Sequence, residues 1–304
     1  MTIDILYISG LNILCIADLK SQANLIIDQA LAPSTKKAYK RSMDLFHMFA
    51  SSIGKSTKQC LKGKYIELWL AQLSSKGLRH NTIRSHLSAV RYHCTRHDIP
   101  HSLNSPRIRL LLKGLERNSA TATTSAATMT TKHLKLLIKV SSALQNKKDH
   151  YQFIAMLAVA FYGFLRPSEY CITPSNHHLN WNNVQFSKKG KQVRLFLRSF
   201  KHSKGKSTIV LHPAKICCPI YWLKRYRSLF TNCHHTPLFD MTAKDFHRVL
   251  KNLCDTAKIK TKLTPHSLRH GGASWASKQG WPDARIKAHG RWRSDAYKRY
   301  VRAF

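Results

Sequence analysis

Residues 264–274 read TPHSLRHGGAS, a run that sets polar and cationic side chains against an apolar frame. His266 and Arg269 stand three residues apart, so a helix through this stretch places both on one face, able to point into one cleft. Downstream, residues 288–302 read AHGRWRSDAYKRYVR and offer Trp292 and Tyr300. Upstream, YGFLRPSEY at 162–170 puts Arg166 at the end of an apolar run with Glu169 three residues on. A guanidinium desolvated there needs an anion or an acceptor nearby. Between these segments, LRSFKHSKGK at 197–206 carries Lys201 at the end of a strand-like alternation. Each residue alone has an ordinary structural reading: a salt-bridged helix end, hairpin solvation, a satisfied core histidine, a packed aromatic.

Composition narrows what such a set could serve. The chain has 304 residues, with 51 Lys and Arg against 14 Asp and Glu, a formal net charge of +37 before any of its 18 histidines is protonated. At 43% hydrophobic and 10% aromatic it can bury real cores, which excludes intrinsic disorder, and its length suits two domains. The basic excess is spread along the chain, which points to a nucleic acid as counter-charge ahead of a membrane surface or an acidic protein. It argues against an enzyme of small metabolites. The eight cysteines follow no repeating spacing, as reduced intracellular thiols do. Cys217, Cys218, Cys233, His234 and His235 could offer soft ligands to zinc, but no paired C-x-x-C knuckle is present, so no metal and no cofactor is assigned. The apolar start of the chain is interrupted by Asp4, is too short to span a bilayer and has the wrong flank for a signal peptide.

Hydrophobic periodicity gives the organisation. Residues 1–32 form an apolar extension. After Pro33, with Ser34 and Thr35 as N-cap candidates, Tyr39, Met43, Phe46 and Ala50 recur at helical spacing. Ile66, Trp69, Leu70 and Leu73 form a second stripe closed by Gly77; Ile83, Leu87, Val90 and Cys94 form a third, opened by Asn81 or Thr82. A shorter helix spans residues 107–115. Residues 33–117 thus read as a small helical bundle. The third helix carries Arg84, Ser88, Arg91 and Thr95 on its polar face, and with Lys36, Lys37 and Lys40 these are the candidate DNA contacts. The hydroxyl-rich run NSATATTSAATMTT at 118–131 reads as an interdomain connection. In residues 132–304, Leu134, Leu137 and Ile138 mark a helix, and 153–164 is apolar enough for a buried one. Val193, Leu195 and Leu197, then residues 208–211 beyond KHSKGK, predict a hairpin with Gly205 in its turn.

In their order and with their flanking words, the site residues resemble the tyrosine recombinase (phage integrase) family, whose signature is Arg, Lys, His-x-x-Arg, His or Trp, then Tyr. The words that carry the likeness are G-x-x-R-x-S-E around Arg166, H-S-x-R-x-G around His266, and G-R-W-x-S-D-A-x-x-R-Y up to Tyr300. GLRHNTIRSHLSAVRYH at 77–93 is similar to the family's core-binding domain, so the likeness covers roughly 33–302. The G-R-W form looks most like recombinases of eukaryotic DIRS, Ngaro and Crypton mobile elements. The resemblance implies a mainly α fold: a SAM-like helical core-binding domain and a mixed α+β catalytic domain with a small antiparallel sheet, the DNA breaking-rejoining enzyme fold.

It also implies roles. Tyr300 attacks a DNA phosphodiester and forms a 3′-phosphotyrosyl link. Arg166 and Arg269 clamp the non-bridging oxygens, Lys201 protonates the leaving 5′-oxygen, His266 serves as acid or base, and Trp292 hydrogen-bonds a phosphate oxygen through its indole N–H or packs the cleft. Lys204 and Lys206 share the turn with Lys201, Arg291 competes with Trp292 for the sixth position, and Tyr297 is a second phenol one turn before Tyr300. The implied partners are double-stranded DNA and further copies of the chain, in a nucleus if the source is eukaryotic and in the cytoplasm or nucleoid if bacterial. A DNA-binding protein of the same fold without catalysis, suggested by a sequence that stops four residues after Tyr300, and a type IB topoisomerase-like relaxer are the alternatives.

Overall fold

Helices make up most of the regular structure because apolar residues recur at three and four over most of the chain. The computed structural model describes residues 15–120, 127–174, 178–197, 207–231 and 235–301. The chain divides into two units, Met1–Thr123 and Thr124–Phe304.

The first unit holds α1 (Ile16–Gln29), α2 (Pro33–Ser52), α3 (Thr57–Cys60), α4 (Gly63–Ser75), α5 (His80–Arg96) and α6 (Pro106–Ala120). The expected stripes meet in one core, where Trp69 sits edge-on to Phe46 at 4.8 Å among Ile66, Leu70, Ile83, Leu87 and Val90. Gly77 takes the left-handed backbone, φ +78°, that follows α4. The helix starts differ from expectation. Pro33 is itself the first residue of α2, where its missing N–H costs nothing, so Ser34 and Thr35 lie inside the first turn. α5 begins at buried His80, ahead of Asn81 and Thr82. α1 buries none of its residues and is tied to α5 by Arg96, whose Nη2 lies 2.7 Å from Asp28.

The connection expected over 118–131 is shorter at both ends. Asn118, Ser119 and Ala120 extend α6, since adding residues to a formed helix is easy. Met129 is buried and donates its N–H to the Ser267 carbonyl at 3.1 Å. Thr130 caps the next helix by accepting from the His133 N–H at 3.2 Å.

The second unit comprises α7 (Thr131–Val140), α8 (Lys147–Tyr162), α9 (Pro167–Tyr170), β1 (Val184–Phe186), β2 (Val193–Leu197), β3 (Ser207–Leu211), α10 (Pro219–Arg227), α11 (Ala243–Thr256), α12 (Pro265–Lys278), α13 (Asp283–His289) and α14 (Lys298–Val301). Every residue of α8 from Gln152 to Tyr162 is buried, as the apolar run at 153–164 requires. The hairpin pairs Val193 with Leu211 and Leu197 with Ser207, and the three-residue β1, too short to announce itself in the sequence, adds an antiparallel edge. Lys201, Lys204, Gly205 and Lys206 lie outside the described residues.

Glycines set how closely α12 approaches its neighbours. A Cβ on Gly272 would stand 1.9 Å from the Phe161 carbonyl oxygen, and one on Gly271 2.1 Å from that of Met129. Both neighbours are backbone and cannot step aside. Gly114, exposed within α6, meets nothing within 4 Å. Gly272→Ala is expected to cost about 1–3 kcal/mol by overpacking, lowering Tm by roughly 2–4 °C per kcal/mol. Gly114→Ala is expected to stabilise by about 0.5–1 kcal/mol. Thermal melts of the two variants check both signs.

Candidate active site

α8 ends inside protein, so its last carbonyls must be met by protein donors. Gly163 follows the helix, and Phe164 takes a left-handed backbone, φ +47°, a rare state for a bulky residue. Three cationic or ionisable side chains meet the carbonyls that result. His289 Nε2 lies 2.9 Å from the Tyr162 oxygen. Arg291 donates through Nη2 to the Phe164 oxygen at 3.3 Å and more loosely through Nη1 to that of Gly163 at 3.5 Å. Arg269 donates through Nη1 to the same Phe164 oxygen and through Nη2 to the Gly290 oxygen at 2.6 Å. Cations suit this end of a helix, where the macrodipole is negative.

Glu169, only 3% exposed, is the cluster's carboxylate. Its Oε1 accepts from Arg166 Nη1 at 3.0 Å; its Oε2 accepts from the Arg166 backbone N–H and from Arg291 Nη2, each at 2.7 Å. Arg166 and Arg291 therefore share one carboxylate, and Arg269 joins them through the Phe164 carbonyl that it shares with Arg291, so the three guanidiniums carry a formal excess of +2 over Glu169 that an anion would neutralise.

Arg291 also has a left-handed backbone, φ +57°. The turn sends its side chain inward and lays the Trp292 ring 4.2 Å from the Arg269 guanidinium carbon. Gly290 makes this possible, since a Cβ there would lie 1.7 Å from the Trp292 ring. Between the two candidates for the sixth position, Trp292 faces Arg269 while Arg291 is committed to Glu169. His266 is exposed on the first turn of α12, with the His270 ring 6.5 Å away between centroids. Burial, then the nearby His266 and Arg269 charges, push the His270 imidazole down to about 4.

Arg166, Arg269 and Trp292 are thus gathered at the end of α8, with His266 one turn from Arg269. Tyr300 lies in α14, its side chain outside the described residues. Tyr297 is buried, packs with Phe164, Ala273 and Ile286, and donates to Asp283 Oδ2 at 3.1 Å. Burial and that carboxylate hold its phenol above the usual range. The sequence pointed to neither His289 nor the Phe164 carbonyl; nothing in the residue types marks a left-handed Phe.

In the first unit, Lys36, Lys37, Lys40 and Arg84 are exposed. Ser88 donates to the Arg84 carbonyl at 2.8 Å, while Arg91 turns to the Leu103 carbonyl at 3.4 Å and buries an Nε with no partner. Of the polar face expected on α5, Arg84 is the basic side chain fully presented to solvent. Lys36 and Lys40 border a groove of about 450 Å³ with Tyr39, Tyr92, His93 and Arg96. Among the described residues, no group of three or more His, Cys, Asp or Glu could hold a metal, and no helix is long and apolar enough to cross a membrane. Cys233 and His234 lie outside them.

The family profile described as "Phage integrase family" matches residues 127–303, and "Phage integrase, N-terminal SAM-like domain" matches residues 22–94. Among solved structures, a lambda integrase (75–356) dimer bound to a COC′ core site is similar at a TM-score of 0.64 and 14% identity, over 93% of each chain. A Tn1549 transposon integrase in complex with circular intermediate DNA gives 0.59 and 16%, over 92% of this chain and 94% of that one. These likenesses show the fold, mainly α with a SAM-like domain and a mixed second domain. No curated protein matches the sequence.

Burial also holds His289 down to about 4, against about 6.5 for an unperturbed imidazole. In the pH interval between those values the unfolded chain binds more protons than the folded one, so stability falls as pH drops from about 6.5 toward 4 and this loss is complete below that. Tm is expected to be lower at about pH 4.5 than at pH 7, and His289→Gln, which keeps a donor for Tyr162, to flatten the difference.

Proposed function

The chain belongs to the phage integrase family, and we propose on that premise that it is a site-specific DNA recombinase working through a 3′-phosphotyrosyl intermediate. The observation that carries the reading is the excess of guanidinium over carboxylate at the end of α8, with Arg166 and Arg269 on either side of the Glu169 and Phe164 acceptors.

In this reading the Tyr300 oxygen attacks the scissile phosphorus, the bond from phosphorus to the 5′-oxygen breaks, and the phosphoryl group stays on the tyrosine. A phenol with an unperturbed pKa of about 10 is a poor nucleophile at neutral pH, so its proton passes to His266. The departing 5′-oxygen takes a proton from Lys201. Charge grows on the two non-bridging oxygens in the transition state, where planar guanidiniums already fixed in place stabilise it without reorganising. Trp292, stacked on Arg269, keeps that guanidinium from swinging. Rejoining is the same transfer run backward by a 5′-hydroxyl, so the phosphoester energy is conserved and no cofactor is needed.

Lys36, Lys37, Lys40 and Arg84 hold the duplex from the first unit, and several copies act on two duplexes together. The G-R-W-x-S-D-A wording favours a mobile element of the DIRS, Ngaro or Crypton kind, with integration or excision in a nucleus as the setting.

On a nicked duplex that traps the intermediate, the protein is expected to form a covalent adduct, Tyr300→Phe to form none, and Tyr297→Phe to retain it, because that phenol is already bonded to Asp283. Tight DNA binding with no adduct would leave a binding protein of this fold, and plasmid relaxation without recombinants would indicate a relaxer. Affinity should fall steeply with salt, at about 0.9 decades per decade of salt for each phosphate neutralised. A flat salt response would contradict phosphate-dominated binding.

A further inference from the structure

The proposed reaction gives Arg291 no task, yet both of its terminal nitrogens are engaged. Its side chain is 4% exposed, against 17% for Arg166, and its donors go to protein acceptors. It spans Glu169 Oε2, the Phe164 and Gly163 oxygens and, at 2.8 Å, the His289 oxygen, while its buried Nε has no partner among the described residues.

We propose that Arg291 is a positioning residue for phosphoryl transfer, holding Glu169 and the Phe164 carbonyl so that Arg166 and Arg269 face one phosphate together. This rests on the recombinase reading. An unshared carboxylate draws a guanidinium into a two-pronged pair. With Oε2 occupied by Arg291, the Arg166 side chain is held by Nη1 alone, and its other donors remain for an anion among the described residues. The Phe164 oxygen then links the other side, because Arg291 and Arg269 both donate to it. The path Arg166, Glu169, Arg291, Phe164 carbonyl, Arg269 fixes the spacing of the two arginines. The left-handed backbone at Arg291 is disfavoured for a residue with a Cβ and persists because these bonds over-determine it. A lysine keeps the charge but lacks the planar fork that reaches a carboxylate and three carbonyls at once.

The test uses the full chain and two nicked duplexes, one with the natural scissile phosphate and one with a methylphosphonate there, which carries no negative charge and asks less of the arginine pair. For Arg291→Lys, adduct formation at saturating DNA is expected to slow by about 100-fold on the phosphate, the scale of a misplaced reacting group. DNA affinity should stay within about threefold, and the loss should shrink to under about tenfold on the methylphosphonate, as fits a role exerted through the arginines' charge. A merely structural role would slow both substrates alike, and that outcome, or a loss seen only as weaker DNA binding, overturns the proposal. Should Arg291→Lys not fold, Glu169→Gln breaks the same path one link along and carries the same expectation; if neither folds, the network is structural and the proposal fails. Absence of adduct from the unsubstituted protein on both duplexes would sink the recombinase reading itself, and the inference with it.

Discussion

A helix that ends where water cannot reach it has to find donors for its last carbonyls in the rest of the chain. α8 is buried from Gln152 to Tyr162; backbone N–H groups of residues 163–165 meet the Val159, Ala160 and Phe161 carbonyls, His289 of α13 meets that of Tyr162, and Arg269 of α12 and Arg291 after α13 meet the Phe164 and Gly163 carbonyls that follow. The two arginines are cationic, which the negative end of the helix favours, whereas burial keeps the His289 imidazole neutral. One carboxylate, Glu169, balances part of their charge. A requirement of folding thus gathers guanidiniums in excess at one place, and the excess is what makes the place attractive to a phosphate.

Much of the second unit follows from that junction. Phe164 adopts a backbone that bulky residues avoid, and its carbonyl serves two arginines as a result. Glycines at 271 and 272 let α12 come near enough to deliver Arg269, and Gly290 lets Trp292 lie over it. Burying Glu169 and Arg291 carries a desolvation cost, and the unpartnered Arg291 Nε adds to it. The large apolar core around α8, from Leu134 and Phe153 to Leu268, offsets such costs.

The parts of this arrangement that were legible in the sequence are those written in periodicity and wording. The stripes of α2, α4 and α5, the buried run of α8 and the β2–β3 pairing follow from spacing alone, and Arg166, Arg269 and Trp292 were found from their flanking residues. What escaped was written in backbone conformation. Nothing in the letters of Phe164 or Arg291 says that both turn left-handed, so the inward path of Arg291 and the task of His289 could not be read. Arg91, placed by helical spacing on the polar face of α5, bends back to Leu103 because a long side chain can reach past its own face. The start of α2 at Pro33 itself and the reach of α6 through Ala120 are the usual slippage of ends where several residues could serve.

The junction also has a history in time. Arg269 reaches its acceptor across 105 residues of chain and His289 across 127. Contacts so distant in sequence form late, because a long loop must close before they return any energy. On the ribosome, where chain is added at about 5–20 residues per second, α8 emerges several seconds before the residues that complete its end. During that interval the arginines exist without their spacing. The basic charge of a nascent chain is thus present long before the arginine geometry at the end of α8, which arrives as a late, all-at-once property of the folded second unit.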